Sequence, residues 1–188
     1  MTKDELRIFY KQKRRELKGF ERELKREEIT QKFFKFLEER PEIETIHIFL
    51  PIKRLAEIDT LPMVRIMQRM GYSVYTSIIL ENGYMDVLDI SSEEEFEDDG
   101  WGIPVPLKKR SANQENIHLV VIPLVVFDEQ GHRIGYGKGY YDRFLDQLSK
   151  DVIKIGLSFF EPVKFIASEA HDIKLDFCIT PEKIHEFL

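Results

Sequence analysis

The sequence predicts an α/β fold: a single three-layer α/β/α domain, spanning 1–188, around a mostly parallel central sheet. Three observations carry this. Short apolar runs of strand length alternate with longer stretches of helical periodicity, the order that builds a parallel sheet covered on both faces. The strongest apolar run, 119–127, leads through a glycine-rich turn into an amphipathic helix, as a central strand and its crossover do. With 188 residues, 43% of them hydrophobic, the chain has the size of one domain and can bury a core without disulfide or zinc.

Thr2 followed by Glu5 matches a capping box, so a helix is expected to start there. Leu6, Phe9, Tyr10, Leu17, Phe20 and Leu24 recur at near-helical spacing, and Gly19 divides them into helices near 3–18 and 21–40. Lys3 and Arg7, four apart, project from one face of the first helix. The run 46–50, ending at Pro51, reads as a buried strand. A helix over 61–70 follows, with Asp59 or Thr60 as its cap and Gly71 as its stop. Residues 72–80 form the next strand, and Asn82-Gly83 marks a hairpin into 84–88. The acidic stretch 91–99 is expected on the surface, and the prolines of 101–106 exclude both regular helix and central strand. After 119–127, bent at Pro123, come a helix over 139–149 and strands over 152–157 and 177–180.

Composition excludes several classes. No apolar run approaches the ~20 residues that span a bilayer, and the opening Met-Thr-Lys-Asp-Glu is unlike a secretory leader. Cys178 stands alone, so neither an internal disulfide nor a cysteine-rich zinc site is available. A cytoplasmic, soluble monomer or weak homodimer is expected, with small-molecule substrates and without nucleic acid or membrane partners. The net charge of −6 hides an asymmetry: residues 1–40 hold 13 Lys and Arg against 9 Asp and Glu, a net of +4, which leaves −10 on the other 148. Such a segment suits a polyanion or, more commonly, a solvated helix face.

The most informative segment is Asp128-Glu-Gln-Gly131-His-Arg133-Ile134-Gly135-Tyr136-Gly137-Lys138-Gly139-Tyr140-Tyr141-Asp142. Alternating glycines let backbone amides converge on an anion, the helix start adds free amides, and Arg133 and Lys138 add full charges. The pattern reads as a phosphate cradle, although it is neither a Walker loop nor a dinucleotide fingerprint. Asp142, beside the proposed phosphates, is placed as a magnesium ligand would be. Downstream, Glu169, Asp172 and Asp176 add acids, and His171 is a candidate base, although a lone loop histidine is more often just a polar residue.

Further residues join this core into a longer pattern. They are Lys3 and Arg7, Phe49-Leu50 leading to Glu57-Ile58-Asp59-Thr60, Trp101-Gly102-Ile103-Pro104-Val-Pro106, Ile122-Pro123 through Phe127-Asp128, and His171-Asp172 with Asp176. Together with the Arg-x-Gly-x-Gly-x-Gly-Tyr-Tyr-Asp string they resemble the 5-formyltetrahydrofolate cyclo-ligase family, also called 5,10-methenyltetrahydrofolate synthetase, over nearly the whole chain. Two departures are Leu124-Val125, where many members have a glycine, and Tyr136, at a variable position.

The resemblance implies an ATP- and magnesium-dependent enzyme that converts 5-formyltetrahydrofolate to 5,10-methenyltetrahydrofolate. It implies ATP contacts from Lys3, Arg7, Arg133, Ile134, Gly135, Tyr136, Gly137, Lys138, Gly139, Tyr140 and Tyr141. Leu50, Glu57, Trp101 and the 137–141 part of the loop would contact the folate, and Asp142 and Asp172 would hold Mg2+. Arg133, Lys138, Tyr140 and Asp142 form the implied catalytic set. The alternatives are an inactive nucleotide- or folate-binding protein on the same scaffold, or a nucleic-acid module using the basic first helix.

Overall fold

The computed structural model describes residues 1–100, 102–169 and 171–187. Among these, α1 (Lys3–Glu16) and α2 (Gly19–Glu38) precede β1 (Thr45–Ile48), α3 (Leu61–Met70), β2 (Ser73–Ile79) and β3 (Met85–Asp89). A short ribbon of β4 (Phe96–Asp98) and β5 (Pro104–Pro106) leads to β6 (Leu119–Ile122). Then come β7 (Val126–Phe127), β8 (Arg133–Ile134), α4 (Tyr140–Asp146), β9 (Ile153–Leu157), β10 (Phe177–Ile179) and β11 (Ile184–Glu186).

The main sheet runs β11-β10-β9-β6-β1-β2-β3. Its five inner strands are parallel, and β11 and β3 are antiparallel edges. Period-two alternation decides which side chain meets which helix. Ile46, Ile48, Leu119 and Val121 pack with Ile29, Phe33 and Leu37 of α2 and with Met63, Val64 and Met67 of α3. Val120, Ile122 and Cys178 turn to the opposite face, against Phe144 and Leu145 of α4. Both faces are covered, which is why the inner strands read as unbroken apolar runs. Truncating a side chain as deeply buried as Phe33 costs ~3–5 kcal/mol.

Local signals set several boundaries. Thr2 and Glu5 form the expected reciprocal cap, with the Glu5 amide donating to Thr2 Oγ1 (3.2 Å) and the Thr2 amide to Glu5 Oε2 (2.8 Å). Gly71 ends α3 at φ +87°, a left-handed position that favours glycine. The break between α1 and α2 falls at Leu17-Lys18, with Gly19 as the first residue of α2. There the Arg22 guanidinium donates to the Leu17 carbonyl (2.9 Å) and holds the corner.

Elsewhere tertiary structure overrides the sequence pattern. The apolar run 119–127 is two strands: β6 stops at Ile122, and beyond Pro123 the chain leaves the main sheet, so that β7 pairs with β8 in a separate ribbon. Helix α1 lies on that ribbon, where Leu6 meets Val126, Ile134 and Ile166. The helix expected over 139–149 ends at Asp146 in two tight turns, Gln147 N–H to Phe144 O and Leu148 N–H to Leu145 O. In the acidic stretch Glu93 is buried, its carboxylate accepting from the Glu95 and Lys108 amides (both 3.2 Å). Strand β11, too short to carry a sequence pattern, forms because the Thr180–Lys183 turn brings it back against β10.

His47, at the centre of β1, is wholly buried beneath α4, against Tyr141 and Phe144. Its Nε2 meets Ser77 Oγ at 2.7 Å, whereas Nδ1 has no partner among the described residues. Burial lowers its pKa from 6.5 to about 3. The unfolded chain therefore takes up a proton near pH 6.5 that the native state refuses until about pH 3. Stability present above pH 6.5 is lost as pH falls below it, by up to about 1.4 kcal/mol per pH unit. Urea unfolding of His47→Leu between about pH 4 and pH 7 should show a correspondingly shallower pH dependence than the unsubstituted protein. Identical slopes would mean that His47 is not the titrating group.

Candidate active site

From β1 the chain crosses to β2 on one side, whereas from β6 it crosses to β9 and β10 on the other. The loops after β1 and β6 therefore part at the carboxyl ends of adjacent parallel strands, the point where open α/β sheets form a crevice. A small cavity lined by Arg14, Glu57, Leu124, Ser158 and Phe159 sits there.

The floor of this crevice is a buried charged network. Glu57, 8% exposed, accepts from the Ile52 amide through Oε2 at 2.7 Å. Burial raises its pKa above the usual carboxyl range, although the Ile52 amide, the Tyr136 hydroxyl and the Arg14 charge pull it back. Arg14, 5% exposed, donates to the Tyr136 hydroxyl (2.9 Å) and the Leu124 carbonyl (2.8 Å). Burial and the nearby Glu57 charge push the Tyr136 hydroxyl up, so it stays protonated. Arg14 was not expected in the site. The signal was present: Lys3, Arg7 and Arg14 fall on one face at helical spacing.

The glycine loop is anchored at its base by Asp128. This wholly buried carboxylate accepts from the Gln130, His132 and Ile166 amides (each 2.9 Å) and faces His132 Nδ1 at 3.1 Å. Gly137 (φ +87°) and Gly139 (φ +66°) adopt left-handed backbone that favours glycine. A Cβ at Gly137 would lie 3.5 Å from the Arg7 guanidinium, whose Nε donates to the Gly135 carbonyl at 3.0 Å. Arg7 thus reaches the loop, and it also pairs with Asp4.

Two ion pairs close the far side. Arg133 donates to Asp142 Oδ1 (2.7 Å) and to the Ile173 carbonyl, and the Ile173 amide returns to the same Asp142 oxygen (3.2 Å). Lys3 meets Asp172 Oδ2 (2.7 Å) and Glu169 (3.2 Å), and the Glu169 amide also reaches Asp172 Oδ2 (2.9 Å). Burial works against both charges, but these bonds win, so the Lys3 pKa is raised and the Asp172 pKa lowered.

Lys3, Arg7, Arg133, Asp142 and Asp172 are therefore brought together with the loop. Lys138 is exposed and makes no ion pair among the described residues, and Tyr140 is half-buried. Tyr141 packs between the two core clusters, its hydroxyl pushed up by burial and by Glu57. Leu50 is buried in the main core, whereas its neighbour Phe49 lines the cavity, and the Ile134 side chain packs against Leu6 of α1. Trp101 lies outside the described residues.

Among the described residues no three His, Cys, Asp or Glu side chains are arranged as a metal cage. Asp142 Oδ2 accepts no hydrogen bond among them, and Asp172 Oδ1 meets only His171 Nε2, at 3.8 Å. Two carboxylates, each with an oxygen to offer beside the glycine loop, form a donor set that fits magnesium, which takes one or two carboxylates and completes its shell with water and phosphate.

Residues 1–181 match the 5-formyltetrahydrofolate cyclo-ligase family. The chain is 31% identical to a 5-formyltetrahydrofolate cyclo-ligase of Mycoplasma genitalium over 181 residues, covering 95% of this chain and 98% of that protein. It is 29% identical to the Escherichia coli K12 protein of the same name over 149 residues, 76% of this chain and 81% of the other. Two solved structures share its fold. A 5,10-methenyltetrahydrofolate synthetase of Mycoplasma pneumoniae aligns with a TM-score of 0.79 at 27% identity, over 96% of this chain and 99% of that one. The Aquifex aeolicus synthetase aligns at 0.83, also with 27% identity, over 100% and 93%.

The buried network makes a prediction about stability. Arg14→Leu removes the cation beside Glu57 and leaves the Leu124 carbonyl and Tyr136 hydroxyl without their donor. The loss should reach about 3 kcal/mol or more in urea unfolding at neutral pH. A loss below about 1 kcal/mol would show that the network is solvated rather than buried.

Proposed function

This chain belongs to the 5-formyltetrahydrofolate cyclo-ligase family, and on that premise we propose that it converts 5-formyltetrahydrofolate to 5,10-methenyltetrahydrofolate using ATP, with ADP and phosphate released. The observation that carries the reading is the meeting of Lys3, Arg7, the glycine loop, Asp142 and Asp172 at the switch-point crevice, with buried Glu57 on its floor.

The chemistry asks for these groups. A formamide carbonyl is a poor electrophile, and its oxygen cannot leave as oxide. Transfer of the γ-phosphoryl group to that oxygen gives an iminium-like phosphate ester. The 10-nitrogen then attacks the same carbon and gives up its N–H proton to solvent, and phosphate departs with its oxygen from the tetrahedral adduct, leaving the five-membered methenyl ring. Phosphoryl transfer asks the protein mainly for positioning and charge neutralisation. Lys3, Arg7, Arg133 and Lys138 supply positive charge, and the glycine amides supply donors that need no side-chain rearrangement. Asp142 and Asp172 would hold magnesium, which when bound neutralises charge on the phosphates. Glu57 has carboxylate lone pairs beyond the Ile52 bond to accept the amino and ring N–H groups of the pterin. Because cyclisation is intramolecular, holding the two nitrogens in register contributes several kcal/mol on the order of measured effective molarities.

The test mixes protein, ATP, magnesium and 5-formyltetrahydrofolate and follows methenyl absorbance. An ATP-dependent rise is expected, and folded protein that gives none would leave only a binding role. Asp142→Asn retains an oxygen for Arg133 and Ile173 but loses the metal-holding charge. It should lower kcat by ~100-fold or more, measured where the variant is shown to be folded, because Arg133 also loses its counter-charge and the unfolding midpoint falls. Wild-type turnover in that variant would remove Asp142 from the mechanism.

A further inference from the structure

The tip of the β2–β3 hairpin, far from the crevice in sequence, touches the glycine loop. The hairpin closes through Leu80 N–H to Tyr84 O (2.8 Å) and Gly83 N–H to Leu80 O (2.9 Å), with Gly83 at φ +80°. Arg143, one turn into α4, reaches both sides. Its Nη1 donates to the Lys138 carbonyl (3.1 Å) and its Nη2 to the Gly83 carbonyl (3.0 Å). Its guanidinium carbon lies 5.3 Å from the centre of the Tyr140 ring. A Cβ on Gly139 would come within 3.1 Å of Nη1, and one on Gly83 would lie 3.6 Å from Nη2 and 3.8 Å from Tyr140 Cε1. Gly83, Lys138, Gly139, Tyr140 and Arg143 thus form one contact.

The loop needs such a contact. Its ends are fixed, by Asp128 and Arg133 at one side and by α4 at the other, and Arg7 holds Gly135. The stretch 137–139 carries two left-handed glycines and the exposed Lys138, and glycine backbone is the costliest to order. Its carbonyl tether is Arg143, which makes no ion pair with any carboxylate among the described residues. A guanidinium has donors in a rigid fork, suited to joining two carbonyls at once, which a lysine cannot do in the same geometry.

We propose that Arg143 is a positioning residue that latches the glycine loop to the β2–β3 hairpin tip, so that the tip becomes a wall of the ligand site and the loop is held in the shape that receives phosphates. Arg143 acts through Lys138, Gly139 and Tyr140 rather than by touching the nucleotide. Its kinetic consequence rests on the function proposed above; its structural consequence does not.

Hydrogen exchange of the ligand-free full chain tests the latch directly, by comparing wild type with Arg143→Gln and Arg143→Lys. In Arg143→Gln the Leu80 and Gly83 amides of the hairpin tip and the Arg143 amide, which donates to the Gly139 carbonyl at the end of the loop, should all exchange about fivefold faster or more, while β1 and β6 keep their protection. Arg143→Lys, able to reach one carbonyl, should fall between. Correlated loosening of two segments this far apart in sequence is what a merely local surface role would not give. In the methenyl assay, Arg143→Gln should raise KM for ATP ~10-fold and change kcat less than ~3-fold. If either segment exchanges as in wild type, the latch is overturned. If wild type shows no turnover, the proposed function fails while the exchange result still decides the latch.

Discussion

A single buried guanidinium holds the site together. Arg133 leaves β8 with its side chain 5% exposed and joins Asp142 of α4 to the Ile173 carbonyl, while the Ile173 amide binds the same carboxylate. Three segments are tied at one point: the start of the glycine loop, the helix that ends it nine residues later, and, 40 residues on at Ile173, the loop that carries Asp172. Removing either partner of such a pair leaves a charge with little water to receive it, typically at a cost of about 3–5 kcal/mol. Gly137 and Gly139 can take left-handed backbone between Ile134 and Tyr140 because both flanks are fixed in this way.

The same constraint explains the charge distribution. The chain is acidic overall at −6, yet the crevice gathers cations. Lys3, Arg7 and Arg14 come from one face of α1 because that helix lies across the β7–β8 ribbon, with Leu6 as the apolar anchor that turns the face inward. Each cation is already engaged, Lys3 with Asp172, Arg7 with Gly135, and Arg14 with Tyr136 and Leu124. The positive charge is thus held in place before any ligand arrives, and preorganised charge is the form in which it counts most in a water-poor site. Of the other amino-terminal cations, Lys13, Arg15, Lys18 and Lys35 are exposed, whereas Arg22 and Arg40 are half-buried and hold the Leu17 carbonyl and the Phe36 ring.

What the sequence made legible was local. The Thr2–Glu5 cap, the Gly71 stop and the Asn82-Gly83 turn each depend on a few neighbouring residues, and each stands where the pattern put it. The parallel sheet followed from apolar runs that face helices on both sides. The glycine loop and its acids were visible because their chemistry is unusual. What stayed hidden depends on partners far along the chain. The split of 119–127 is a choice between two sheets, β11 exists only against β10, and the roles of Arg14 and Arg143 appear only when Tyr136, Leu124 and Gly83 are brought to them.

The central claim is that the crevice activates a formyl oxygen by phosphorylating it, and the fate of that oxygen tests it most directly. With substrate carrying oxygen-18 in the formyl group, the account predicts that the label leaves in the inorganic phosphate, bound to phosphorus, in step with methenyl formation. Label released to water, with unlabelled phosphate, would contradict it.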